Sequence, residues 1–141
     1  MSRPTSAPAA DSIHQAATAA RTRQVVTAFA RQFYDERDVA GAFTRYVAAD
    51  YIQHNPTIAD GRDAAIAALA GTWGNPELRL VVRSILVDGD TAVLLIDGQF
   101  GPDVRFGVVD IYRLVGDTIV EHWDVKQEFP ARIVGEHPIF S

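Results

Sequence analysis

Cysteine is absent from the 141-residue chain. That excludes disulfides, thiolate nucleophiles and cysteine metal sites, and it fits a cytoplasmic location. Clusters of positive charge are also missing. The 13 Lys and Arg residues are scattered among 18 Asp and Glu, for a net charge of −5. A nucleic-acid partner needs a basic stripe, so none is expected. No apolar run reaches the ~18 residues that a membrane span requires, which leaves no membrane partner either. The opening MSRPTSAPAAD lacks the apolar stretch of a signal peptide. Its Pro, Ala and Ser content reads as a disordered lead-in over residues 1–10, ahead of a single domain over 11–141. No Gly-rich phosphate loop opens a helix, so no cofactor is implied. No tight ligand spacing such as His-x-x-x-His occurs, so no metal is expected.

What is present reads as helices followed by strands. Ser12 to Gln15 has the form of a capping box, and Val26, Phe29, Ala30 and Phe33 follow helical spacing, giving a helix over roughly 12–35. Asp38 is placed to cap a second, short helix carrying Phe43 and Val47. Tyr51 to His54 is an extended piece stopped by Asn55-Pro56, and Asp60-Gly61 starts a third helix that ends near Gly71. From Glu77 the period changes to two. Leu78, Leu80, Val82 and Leu86 alternate with Arg79, Val81, Arg83 and Ile85, and turns fall at Asp88-Gly89, Gly101-Pro102-Asp103 and Gly116-Asp117. This order predicts an α+β fold, with helices packed on a curved antiparallel sheet around a pocket. The tail from Phe129 to Phe140 is expected to pack back on the body or on a partner.

The last hairpin decides the chemistry. Setting Arg113 opposite Glu121 brings opposite charges together. It also pairs Val115 with Ile119, Leu114 with Val120, Tyr112 with His122, and Asp110 with Asp124, across a three-residue turn. A two-residue turn would instead set Asp110 against Trp123 and send Asp124 to the other face. In the first register two carboxylates share one half-buried face, where like charge and desolvation raise one of them. Such a pair suits general acid/base work near neutral pH. The plainer alternative is that one Asp pairs with an arginine. His54 is a site residue or a histidine capping the next loop. Trp73, among Gly71, Gly74 and Pro76, reads as part of a loop at the pocket mouth. Trp123, Ile119, Val81 and Ile85 are assigned to the outer sheet face, as a subunit contact.

Four segments taken in order carry a resemblance: Tyr51-Ile52-Gln53-His54-Asn55-Pro56, Asp60-Gly61-Arg62, Val109 to Leu114, and Ile119 to Val125 with its Glu121-His122-Trp123-Asp124. Over residues 20–128 the chain resembles the SnoaL-like, polyketide-cyclase-like branch of the NTF2-like superfamily, in particular the group inferred to catalyse aldol condensation. The resemblance implies a cone-shaped α+β barrel that dimerises through its outer sheet face. It implies Asp124 as the residue that moves a proton in an intramolecular aldol closure. Where those cyclases have a His fourteen residues earlier, this chain has Asp110. The related epoxide hydrolases place an Arg two residues before the Asp, where Val108 stands here. The expected activity is therefore cofactor-independent acid/base catalysis on a small hydrophobic carbonyl compound, by cyclisation or isomerisation. Asp124, Asp110 and His54 are its expected catalytic residues, and Gln53, Asn55, Tyr112, His122 and Trp73 line the substrate site. The alternatives are a non-catalytic ligand-binding or dimeric interaction domain, and an epoxide or ester hydrolase with an Asp-activated water.

Overall fold

Alanine, the best helix former, fills much of the N-terminal stretch, and it is helical from its first described residue. The computed structural model describes residues 7–140. Helix α1 spans Ala7–Ala30, so Ser12 lies inside it and does not cap it. The lead-in expected over residues 1–10 thus falls on residues 1–6, outside the described residues, and on Ala7–Ala10, which are helical. The helix ends in a π-helical turn, Arg31–Asp35. Asp38 caps α2 (Val39–Tyr46) by accepting from the Gly41 N–H at 2.9 Å, as expected. Val47, expected in that helix, instead opens strand β1 (Val47–Gln53). Helix α3 spans Arg62–Trp73. Gly61 precedes it with φ +97°, a conformation that favours glycine. Asp60 does not cap the helix; its carboxylate takes the Gln53 N–H at 2.8 Å.

The strands follow as β2 (Leu78–Asp88), β3 (Thr91–Phe100), β4 (Val104–Val115) and β5 (Thr118–Glu128). They form one sheet in the order β1-β5-β4-β3-β2. Only the β1–β5 pair is parallel. The helices cover one face, where Val26, Phe29, Phe43, Tyr51, Leu94, Ile96 and Ile119 are all but inaccessible to solvent. The architecture is the expected α+β fold.

Two bulges correct the sequence alternation. In β2 the register shifts between Val82 and Ser84, so Arg83 is the extra residue. Ile85 therefore turns inward to the core and Leu86 outward, the reverse of the expectation. In the last hairpin Val115 pairs with Thr118 and Leu114 with Ile119, across a two-residue turn. Past a bulge at Val120, Arg113 pairs with Glu121, Tyr112 with His122, and Asp110 with Asp124. Both registers weighed from the sequence thus occur in one hairpin. An extra residue re-aims the strand beyond it, which sends Ile119 into the core while preserving the carboxylate pair. Beyond β5 the tail folds back: the Phe129 and Phe140 rings lie over Gly107, while Ile133, Val134 and Ile139 remain exposed.

Candidate active site

A cavity of about 430 Å³ opens between the helices and the sheet. Its wall is aliphatic and aromatic, with Phe33, Leu69, Trp73, Leu80, Ile96, Phe106 and Val108 among the lining side chains. The polar groups gather at its base, where neighbouring strands present alternate residues to one face. These are Tyr51 and Gln53 from β1, Asp110 and Tyr112 from β4, and His122 and Asp124 from β5, with Asn55 just beyond β1.

The hydrogen bonds at this base assign its protons. The Asn55 backbone N–H donates to Gln53 Oε1 at 2.9 Å, which identifies that atom as an acceptor. His122 Nδ1 stands 2.7 Å from the same oxygen and so carries a proton. His122 Nε2 faces Asp110 Oδ1 at 2.8 Å. A lone pair would repel a carboxylate at that range, so a proton lies between them and the pair is neutral as a unit. The Tyr34 hydroxyl donates to Asp110 Oδ2 at 2.5 Å, and the Tyr112 hydroxyl, 2.7 Å away, donates in turn to Tyr34. Burial, and next the Asp110 carboxylate, hold both phenols well above their ordinary pKa, which keeps them as donors. Asp110 and His122 are only 7% and 6% exposed, and no buried polar side-chain atom among the described residues lacks a partner.

Asp124 differs from Asp110. Asn55 Oδ1 accepts from Thr57, so its Nδ2 points the other way and donates to Asp124 Oδ2 at 2.6 Å. The second oxygen of Asp124 has no partner among the described residues, and the side chain lines the cavity. Nearby, Tyr51 accepts from Gln53 Nε2 at 3.3 Å, and its own proton has no acceptor among the described residues. Burial, then Asp110, raise the Tyr51 phenol strongly. One oxygen or nitrogen from each of Asp110, His122 and Asp124 lies within 4.8 Å of the others, the sole potential metal-binding group among the described residues. Both nitrogens of His122 are already engaged, so an ion there would have to break one of these hydrogen bonds.

The match to a family model, the SnoaL-like domain, runs over residues 23–122. The chain belongs to the SnoaL-like family. Asp124 stands just beyond the matched segment of this SnoaL-like protein. No curated protein matches it. Solved structures share its fold. An NTF2-like protein from Mesorhizobium loti gives a TM-score of 0.66 at 20% identity, covering 77% of this chain and 93% of its own. A protein provisionally named a ketosteroid isomerase, from Kribbella flavida DSM 17836, gives 0.63 at 22% identity, over 87% and 90%. One provisionally named a SnoaL-like polyketide cyclase, from Jannaschia sp. CCS1, gives 0.62 at 20% identity, over 77% and 87%. At these identities the likeness is one of fold, the NTF2-like α+β architecture.

Of the site residues read from the sequence, the SnoaL-like fold gathers Asp110, Asp124, Gln53, Asn55, Tyr112, His122 and Trp73 around the cavity. His54 is the exception. It follows Gln53 directly, so strand alternation turns it to the other side. There it stacks on Trp123 with ring centroids 4.8 Å apart, and its Nε2 meets Glu121 at 2.9 Å. The expectation of His54 beside the carboxylates is corrected. Trp73 ends α3 instead of lying in a loop, stacked on Phe33 with its indole N–H on the Phe33 carbonyl. Two phenols were missed. Tyr51 was legible, two residues before Gln53 on the same strand face. Tyr34 was not, because only the π-turn brings it inward next to Phe33.

Proposed function

We propose that this protein is a cofactor-independent acid/base enzyme acting on a small hydrophobic carbonyl compound, by intramolecular aldol cyclisation or isomerisation. The observation that carries this reading is the unequal treatment of the two opposed carboxyls. Asp110 is saturated by His122 and Tyr34, whereas Asp124 keeps one oxygen open to an apolar cavity. In this reading Asp124 takes the proton next to the carbonyl, and the Tyr51 hydroxyl donates to the enolate oxygen that forms. The enolate carbon then adds to a second carbonyl, and Asp124 returns its proton to the new alkoxide. The atoms balance without a co-reactant. The hydrogen-bonded set of Asp110, His122, Gln53 and Tyr34 holds the Tyr51 donor and the strand floor in place. A positioned base contributes on the order of 10²–10⁴-fold. Proton NMR of methyl ketones in deuterated buffer should show the parent exchanging the α-protons and Asp124→Asn slowed by about 100-fold or more. Equal exchange by the two proteins would rule out this role for Asp124.

We also propose that a second copy of the chain covers the outer sheet face. Two adjacent rows cross it: Val125, Val109 and Leu95, then Trp123, Ile111, Val93 and Leu86. Val125 and Leu86 are 65% and 61% exposed, and contiguous apolar patches of this kind mark contacts.

A further inference from the structure

Lys126 is the chain's only lysine. Among the residues lining the cavity it is also the only one with a fixed positive charge. It follows Asp124 by two residues on β5, so the two project from the same face. Its Nζ stands 4.3 Å from the centroid of the Phe106 ring, which is part of the cavity wall. The ring quadrupole attracts the cation and holds it over the cavity edge. No carboxylate among the described residues neutralises it. Among the described residues every ion pair uses Arg or His, and Glu128, next along the same strand face, makes none with Lys126. The protein as a whole is acidic, with a net charge of −5. An unpaired ammonium beside an apolar cavity is thus a local exception, complementary to an anion.

We propose that Lys126 selects carbonyl substrates that also carry a carboxylate, holding that group at the cavity edge while the carbonyl lies against Asp124. This substrate class rests on the proton-transfer reading above. The polarity of the cavity fixes the orientation: the open carboxyl of Asp124 repels an anion from the base, where Asp110 is already paired with His122, and Lys126 attracts it at the rim. Alternate side chains on one strand face are about 7 Å apart, a distance that one para-substituted benzene ring spans. Acetyl and carboxylate groups at opposite ends of such a ring meet both residues at once.

The test compares 4-acetylbenzoate with its uncharged counterpart, 4-acetylbenzamide, by calorimetric titration of the parent and Lys126→Met. Methionine keeps the unbranched stem and removes the charge. The parent is expected to bind the acid about fivefold more tightly than the amide, the upper end for an exposed ion pair. The affinity ratio should fall to about one in Lys126→Met and in the parent at 1 M salt. Equal affinity of the parent for the two compounds, including failure to bind either, overturns the proposal. So does a preference that survives Lys126→Met. Deuterium exchange of the acetyl protons in the same samples separates the two ideas. A Lys126-dependent ratio without exchange upholds carboxylate selection and removes the acid/base reading. Exchange with a ratio of one in the parent does the reverse.

Discussion

Asp97 shows how a single buried charge is handled on the outer face of the sheet. It is only 7% exposed, and Arg83 and Arg105 reach it at 2.7 and 2.8 Å. Burial pushes this carboxyl up, but the hydrogen bonds from Arg83 and Arg105 outweigh it and hold the group below its ordinary value. A carboxyl lowered on folding binds its proton more tightly in the unfolded chain. Its stabilisation is therefore complete above the unfolded value of about 3.9 and fades as the pH falls below it. Asp97→Asn should lower the melting temperature at pH 7, and the gap to the parent should narrow by pH 3. Thermal scans at the two pH values check this, and a gap unchanged at pH 3 would remove the assignment. At this same scale the sequence was most informative about Asp110 and Asp124 and least about Tyr34. The opposed carboxyls follow from strand alternation and one charge pair. The inward turn of Tyr34 depends on a helix that widens over one turn, which no periodic pattern announces.

Between elements, the pairing of β3 with β4 shapes the cavity through one missing side chain. Gly98 lies opposite Phe106, and a Cβ built on it would stand 2.1 Å from the Phe106 ring. The ring therefore lies flat across the glycine, a filling of an empty strand position by a neighbouring aromatic. Gly98→Ala should force the ring off the glycine and into the cavity. Overpacking of this kind costs about 1–3 kcal/mol, and denaturant unfolding together with weakened binding of 4-acetylbenzamide checks both effects. Unchanged stability and affinity would show that the ring has another place to go. Element order, the turns and the α+β class were legible because periods of 3.6 and two differ sharply. The bulges at Arg83 and Val120 were not, because an extra residue leaves composition and alternation intact on either side of it. That is why Ile85 and Ile119 were assigned to the wrong face.

For the molecule as a whole, the two faces of the sheet have separate tasks. The inner face holds the cavity, and the outer face carries the apolar rows, flanked by the His54–Glu121–Arg113 group at one end and the returning tail at the other. Among the described residues no helix is long and apolar enough to cross a membrane. Leu95 sits within the rows at 36% exposure, so Leu95→Glu should leave the folded protomer intact while opposing a like charge on the second copy. Light scattering after size exclusion is expected to give a dimer for the parent and a monomer for Leu95→Glu. A monomeric parent would remove the proposed interface. Family membership was readable from four ordered segments, whereas the proposed substrate class depends on where one lysine rests over one ring.

The bulge at Val120 has a consequence for how this hairpin tolerates change. It separates two registers, one governing the tip and one governing the floor of the cavity. Each is anchored by its own residues: Leu114 and Ile119 in the core on one side, Arg113 and Glu121 on the other. The tip at Gly116-Asp117 is thereby mechanically insulated from Asp110 and Asp124. Loops of different length could be grafted there without re-aiming the carboxyls, which makes this turn the natural place to attach a reporter to the protein.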